Sequence, residues 1–321
     1  MKKYDVVAMG ELLIDFTMNG QSGQGNPLFE ANPGGAPCNV LAILKKYGKE
    51  TGFIGKVGKD QFGMMLRGTL EEVGIDTKGL VMDGEYNTTL AFVHTAADGD
   101  RTFSFYRKPG ADVMLTEDEV DFEMIEQADI FHFGTLSMTG EPAKSATKAA
   151  VAYAKAKGKL ISFDPNLRPP LWDDLKKAKE AIDYGLKNAD IVKIADNEIE
   201  FMTGKSDMAE AIEAFTQTYN IKLLCVTLGK DGSVVIYRGE KLFVPGFIQE
   251  NTIETTGAGD TFGGSVLAYV CEQGIDDLSK EQLKEMLTLA NAGASLITTR
   301  KGALRVMPER SEIWALAGTR A

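Results

Sequence analysis

Residues 254–264 read ETTGAGDTFGG, and the single acid inside that glycine run, Asp260, decides how the chain is read. Glycines let a backbone turn sharply and approach a ligand closely. Phe262, Val266, Tyr269 and Val270 follow at the spacing of one helical face. Gly257, Ala258 and Gly259 are therefore expected at the mouth of a helix, with unpaired backbone N–H groups turned outward. Such a mouth favours an anion, most often a phosphate. A fixed negative charge in an anion site calls for a reason. Either Asp260 caps the helix or it does chemistry.

Composition narrows the chemistry. The 321 residues are enough to bury a large core, and the formal net charge of −11 argues against nucleic acid or an anionic membrane as the main partner. Three cysteines, Cys38, Cys225 and Cys271, lie far apart without a C-x-x-C spacing and read as buried thiols of a reducing compartment. The two histidines, His94 and His132, each sit in an apolar run. That excludes a His-rich metal site and leaves little room for a Ser/His/Asp or Cys/His mechanism. The start, MKKYDVVAMGELLIDF, is broken by Asp5, Glu11 and Asp15 and does not read as a signal peptide. No segment approaches membrane-spanning length, and the expectation is a cytoplasmic protein.

Along the chain, β-type runs alternate with helical patterns. YDVVAMG, TGFIGKVG, DIFHFG, KLISFD, ADIVKIA and IKLLCVTLG read as strands. NVLAILKKYG, DQFGMMLRGTLEEVG and PAKSATKAAVAYAKAKG read as helices. This alternation predicts an α/β fold with a mostly parallel central sheet flanked by helices, its ligands gathered at the carboxyl ends of the strands. Two stretches break the pattern. Residues from about 12 to 33 are polar and Gly-rich, and TTLAFVHTAADGDRTFSFYR, residues 88–107, reads as a hairpin with ADGD at its tip. Together they predict a small separate β-sheet, a lid that excludes water. No linker or internal repeat divides the chain.

Polar clusters fall just after the strands. They are Glu11 and Asp15; Gly34, Gly35 and Asn39 in NPGGAPCNV; Asp164, Asn166 and Arg168 in FDPNLRPPLW; Asn197 and Glu200 in IADNEIEF; and the tight turn TLGKDGS. Each alone also suits a cap, a turn or a solvated face. Their convergence on one sheet edge predicts a site. Neither a P-loop nor a G-x-G-x-x-G is present. An Asp at an anion-binding helix mouth supplies another route to phosphoryl transfer. The N–H groups of residues 257–260 would stabilise the transferring group, and Asp260 would accept the proton of the attacking hydroxyl. Asn197 and Glu200 would position Mg²⁺ through water.

ETTGAGDTFGG resembles the C-terminal signature of the ribokinase-like (PfkB) carbohydrate kinases, NPGGAPCNV their N-terminal one, and NEIE their N-x-x-E magnesium motif. The resemblance runs from Gly10 to the TRKGALRVMP tail, and DRTFSFYRKPGADVML with FDPNLRPPLW looks most like fructokinases. It implies one kinase domain over residues 1–321, with a β-lid from about 12–33 and 87–112. Asp260 would be the base and residues 257–260 the anion hole. Asp15, Gly34, Gly35 and Asn39 match substrate contacts, as do Arg107 and Asp112, with Arg107 reaching the sugar from the lid. Asn166 and Arg168 would lie between sugar and phosphates. Thr227, Gly229 and Gly232 match the ATP loop, Asn291 flanks the adenine, and Lys193 helps offset the nucleotide's charge. Some members also bind K⁺. Here Glu254 stands where the family has Asp, with backbone carbonyls near Thr256 and Gly302 as the remaining ligands.

The expectation is an ATP-dependent kinase making fructose 6-phosphate, with a neutral sugar and ATP as partners and a homodimer through the lid. Two rivals stay open: a 2-keto-3-deoxygluconate kinase, whose acid substrate calls for more cationic side chains, and a non-catalytic sugar-binding protein, which needs no base. A dehydrogenase is disfavoured by the missing dinucleotide fingerprint.

Overall fold

The computed structural model describes residues 2–95 and 101–320, so the ADGD tip of the hairpin lies outside the described residues. The strands are β1 (Tyr4–Met9), β2 (Leu13–Gln21), β3 (Pro27–Gly34), β4 (Thr51–Gly58), β5 (Asp76–Asp83), β6 (Leu90–Thr95), β7 (Arg101–Tyr106), β8 (Ala128–Gly134), β9 (Leu160–Asp164), β10 (Ile191–Ala195), β11 (Leu223–Thr227), β12 (Gly232–Tyr237) and β13 (Glu240–Pro245). The helices are α1 (Ala36–Lys46), α2 (Gln61–Glu72), α3 (Phe122–Glu126), α4 (Ala143–Ala156), α5 (Leu175–Asn188), α6 (Asp196–Thr203), α7 (Met208–Thr218), α8 (Ala258–Gln273), α9 (Lys280–Ile297) and α10 (Arg310–Ala317).

Nine strands pair in the order β13-β12-β11-β10-β9-β8-β1-β4-β5. All neighbours are parallel except β11–β12 and β12–β13. A parallel sheet needs cover on both faces, and the side-chain alternation supplies two cores. Val6 and Ala8 join the core under α1, α8 and α9, whereas Val7 and Met9 join the one under α4 and α5. Apolar residues fill both sides of most strands, which is why these runs read as continuous rather than alternating. On the α8 side, however, β8, β9 and β10 carry His132, Ser162, Asp164 and Lys193, because their neighbours Phe131, Phe133, Ile161, Phe163, Val192 and Ile194 face the other core. A polar row thus runs across one sheet face toward the start of α8.

The remaining four strands form a second sheet in the order β3-β2-β6-β7. It is made of the two stretches that broke the α/β pattern. Phe16 on β2 stacks on Phe92 of β6 at 4.8 Å and meets Phe62 of α2 edge-on at 5.5 Å, seating this sheet against the main body. Among the described residues, no helix is long and apolar enough to cross a membrane.

Candidate active site

A cleft of about 830 Å³ lies between the carboxyl ends of the central strands and the small sheet. Its floor is the start of α8. Gly257 adopts the left-handed conformation (φ +76°), a region that favours glycine, and a Cβ there would stand 2.9 Å from the Ala303 methyl. The helix starts one residue later, and Phe262, Val266, Tyr269 and Val270 are buried as their spacing predicted. The mouth differs in one respect from the sequence-based expectation. The Ala258 N–H is not free but donates to the Thr255 carbonyl at 3.2 Å, since the chain entering the helix already turns. The N–H groups of Gly257, Gly259 and Asp260 take no acceptor among the described residues.

Asp260 is 9 % exposed and does not cap its helix; its Oδ2 accepts the side-chain N–H of Asn39 at 2.8 Å. Burial pushes its carboxyl up to about 6, assisted by Asp164 and opposed by Asn39, Lys193 and Arg168. Lys193 extends from β10 beneath the helix mouth. Its Nζ donates to Asp164 Oδ2 at 3.1 Å and lies 2.8 Å from where a Cβ on Gly259 would stand. A side chain at residue 259 would displace that ammonium group. Burial works against the charge on Lys193, but Asp164, Glu198 and Asp260 outweigh it and raise its pKa.

The other wall comes from the entry to α1. A Cβ on Gly34 would lie 2.6 Å from Asp15 Oδ2, and one on Gly35 (φ +135°) would lie 2.4 Å from the Glu11 carbonyl. The paired glycines of NPGGAPCNV therefore let this turn close onto β2 and the end of β1. Asp15 borders the cleft with its carboxyl raised to about 7 by burial, with Arg168 opposing and Glu254 and Asp260 adding to the shift. Glu11, 3 % exposed, also borders it; Oε1 accepts the Ala36 N–H at 2.9 Å, and burial raises its carboxyl to about 7. Asn166, held at φ +45° with its N–H on Asp164 Oδ1, and the exposed Arg168 complete this side.

The far end is formed by Thr227 at the tip of β11, the turn through Gly229 and Gly232, and Asn291. Gly232 (φ +122°) runs so close to β13 that a Cβ would lie 2.2 Å from the Val244 carbonyl. Asn291 donates to the Val244 and Pro245 carbonyls at 3.1 and 3.3 Å, fixing the edge of the cleft. Glu254 accepts the Gly302 N–H at 2.6 Å and so ties together the two segments that the family resemblance assigned to a K⁺ site.

Two groups of expected site residues lie away from the cleft. Arg107 and Asp112 do form a pair, but neither borders the cleft. The guanidinium donates to Asp112 Oδ2, to Thr139 Oγ1 at 2.7 Å and to the Leu136 carbonyl at 2.8 Å, with side-chain exposures of 4 % for Arg107 and 1 % for Asp112. In this structure Arg107 ties the base of β7 to the main body. Glu200 is likewise outside the cleft, exposed and accepting from Ser206 Oγ at 3.0 Å. Helix α6 buries Glu198, Ile199 and Met202, so Asn197 and Glu200 share the outward face, and only Asn197, near the helix start, borders the cavity. The acid on the inward face is Glu198, whose oxygens accept the Leu167 and Ala195 N–H groups at 2.7 and 2.8 Å. Its position two residues after the helix start, beside buried Ile199, was the signal for it. Sequence reasoning also missed Leu13, Val93 and Phe105, which make an apolar roof from the small sheet.

A buried acid at a helix mouth, a lysine beneath it, and a cleft closed by a second sheet define a group-transfer site built to handle an anion. The family described as pfkB family carbohydrate kinase matches residues 3–310, and the chain belongs to it. It is 39 % identical over 313 residues to a probable fructokinase-4 of Arabidopsis thaliana, covering 97 % of this chain and 96 % of that one. The fructokinase of Xylella fastidiosa with bound ATP superposes with a TM-score of 0.90 at 31 % identity, covering 99 % of both chains. A fructokinase double mutant of Vibrio cholerae O395, in its fructose-, ADP- and potassium-ion-bound form, does so at 0.87 and 29 %, again covering 99 % of each.

Proposed function

We propose that this chain is one kinase domain that transfers the γ-phosphoryl group of ATP to the 6-hydroxyl of D-fructose, with Asp260 as general base. The observation that carries this reading is Asp260 itself: a buried carboxylate between free helix-mouth N–H groups and the sugar-side residues Asn39 and Asp15. With its pKa near 6 it is ionised at neutral pH yet basic enough to accept a hydroxyl proton as the oxygen attacks. The N–H groups of Gly257, Gly259 and Asp260, with Lys193 and Arg168, stabilise the negative charge that develops on the transferring group. Asp15 and the backbone at Gly34 and Gly35 hold the sugar, and Leu13, Val93 and Phe105 cover it, so the small sheet acts as a lid that excludes water. Thr227, Gly229, Gly232 and Asn291 seat the nucleotide.

A divalent cation fits on the phosphate side. Mg²⁺ keeps several waters and needs only one or two carboxylates besides phosphate oxygens. Glu198, which borders the cleft, suits that role better than the exposed Glu200, which does not border it. Among the described residues there is no group of three or more His, Cys, Asp or Glu side chains placed to hold a metal ion. When bound, the ion offsets phosphate charge.

The sugar end favours a neutral substrate. The acids Glu11 and Asp15 border it, and Arg107 is committed to Asp112, so a sugar acid would find acids beside it and Arg168 as the nearest cation. The discriminating experiment is ADP release over fructose, ribose, glucose and 2-keto-3-deoxygluconate. Fructose should give the highest kcat/KM; a higher value for the sugar acid would replace this reading with the rival kinase, and turnover of none would favour a binding protein. A homodimer through the outward face of the lid, where Met18 and Tyr106 are 53 % and 67 % exposed, belongs to the same reading and is checked by light scattering. So does a cytoplasmic location, in keeping with the free thiols of Cys38, Cys225 and Cys271.

A further inference from the structure

Helices α1 and α8 both start at the cleft and run side by side. At their first turns Asn39 donates to Asp260 Oδ2 at 2.8 Å, a contact between residues 221 positions apart. One turn further along both helices, Gly264 meets Val40 and Ile43. A Cβ on Gly264 would lie 2.2 Å from Ile43 Cγ2 and 2.9 Å from the Val40 carbonyl oxygen. Glycine at 264 therefore sets how closely the helices approach, and that approach brings the Asn39 amide to the carboxylate. Asn39 is 4 % exposed and borders the cleft, and its Oδ1 has no hydrogen-bond partner among the described residues. A buried acceptor without a donor is costly, and a sugar hydroxyl is the group that would satisfy it.

Resting on the assignment of Asp260 as base, we infer that Asn39 is the positioning residue for that base, and that Gly264 is the spacer that keeps it in reach. The amide holds one oxygen of Asp260, leaving the other to the attacking hydroxyl, and uses its own oxygen on a neighbouring hydroxyl. One side chain thereby registers base and nucleophile on each other. The charged and titratable groups acting on Asp260 are Asp164 from β9, Arg168 from the loop after it, Lys193 from β10 and Asp15 from β2. The Asn39 hydrogen bond favours the ionised carboxylate, in the same direction as the two cations and against the two acids.

The test is the pH dependence of kcat/KM for fructose, which reports the free enzyme's base. Asn39→Ala should move the acidic limb upward in pH and lower kcat by about ten- to a hundredfold, the scale of a misplaced reacting group, while the KM for ATP stays. Gly264→Ala, which touches no ligand, should change kcat and the limb in the same direction. Adding Ile43→Leu, which removes the Cγ2 branch at constant volume, should recover part of the loss and guards against a Gly264 variant that fails to fold. A limb that stays in place while only the fructose KM rises would make Asn39 a plain sugar contact and overturn the inference. Asp260→Asn at wild-type turnover would instead overturn the reading it rests on.

Discussion

Replacing Arg107 with alanine separates an anchor from a ligand. The side chains of Arg107 and Asp112 are 4 % and 1 % exposed, and the guanidinium is bound by Asp112, Thr139 and the Leu136 carbonyl. Its removal leaves the Asp112 carboxylate buried with, among the described residues, the Thr89 hydroxyl as its remaining side-chain hydrogen-bond donor, 2.5 Å away. Breaking a buried pair by removing one partner costs roughly 3–5 kcal/mol, a large share of the ~5–15 kcal/mol that holds a typical domain together. Urea unfolding followed by circular dichroism should show that loss in Arg107→Ala. Arg107→Met combined with Asp112→Leu, which removes both charges, should recover much of it. Kinetic losses in Arg107→Ala should follow lid attachment and affect turnover. An unchanged unfolding midpoint with a selective rise in fructose KM would refute the anchor and return Arg107 to the sugar.

Two further predictions concern the acids. Glu198→Gln should raise the Mg²⁺ concentration needed for half-maximal activity, whereas Glu200→Gln should leave it alone, because only the first faces the cleft; the reverse order in a Mg²⁺ titration would restore the sequence-based assignment. Asp260 carries a folded-state pKa above its unfolded value, so its contribution to stability is present below about pH 4 and lost as pH rises through about 6. The change from 3.8 to about 6 corresponds to roughly 3 kcal/mol at neutral pH. Asp260→Asn should therefore unfold at a higher temperature than wild type at pH 8, with the gap closing near pH 4; an equal or lower midpoint at pH 8 would contradict the cost assigned to the buried charge.

Much of the fold was legible because it depends on local pattern. Apolar runs such as YDVVAMG and KLISFD fill both cores, and the α8 face through Phe262 and Val266 follows the helical period. The two stretches without that period became the second sheet. Glycines at 34, 35 and 257 were legible as close approaches for the same local reason. What escaped depends on distant partners or on helix phase. Arg107 looked available because Thr139 and Leu136, which bind it, lie about thirty residues away in sequence. Asn197 and Glu200 do share a face, but the burial of Ile199 and Met202 turns that face outward and brings Glu198 in. The Asn39–Asp260 contact needs two helix termini and the spacing at Gly264, and neither segment signals it alone.

The most direct measurement is the turnover of Asp260→Asn with fructose and ATP, set beside calorimetric affinities for both ligands. Loss of a general base typically lowers the rate on the order of 10²–10⁴-fold. The expected result is a kcat reduced by that factor or more, with fructose and ATP bound within a few-fold of wild type. A variant that phosphorylates fructose at the wild-type rate would contradict the assignment of Asp260, and with it the chemistry proposed for this cleft.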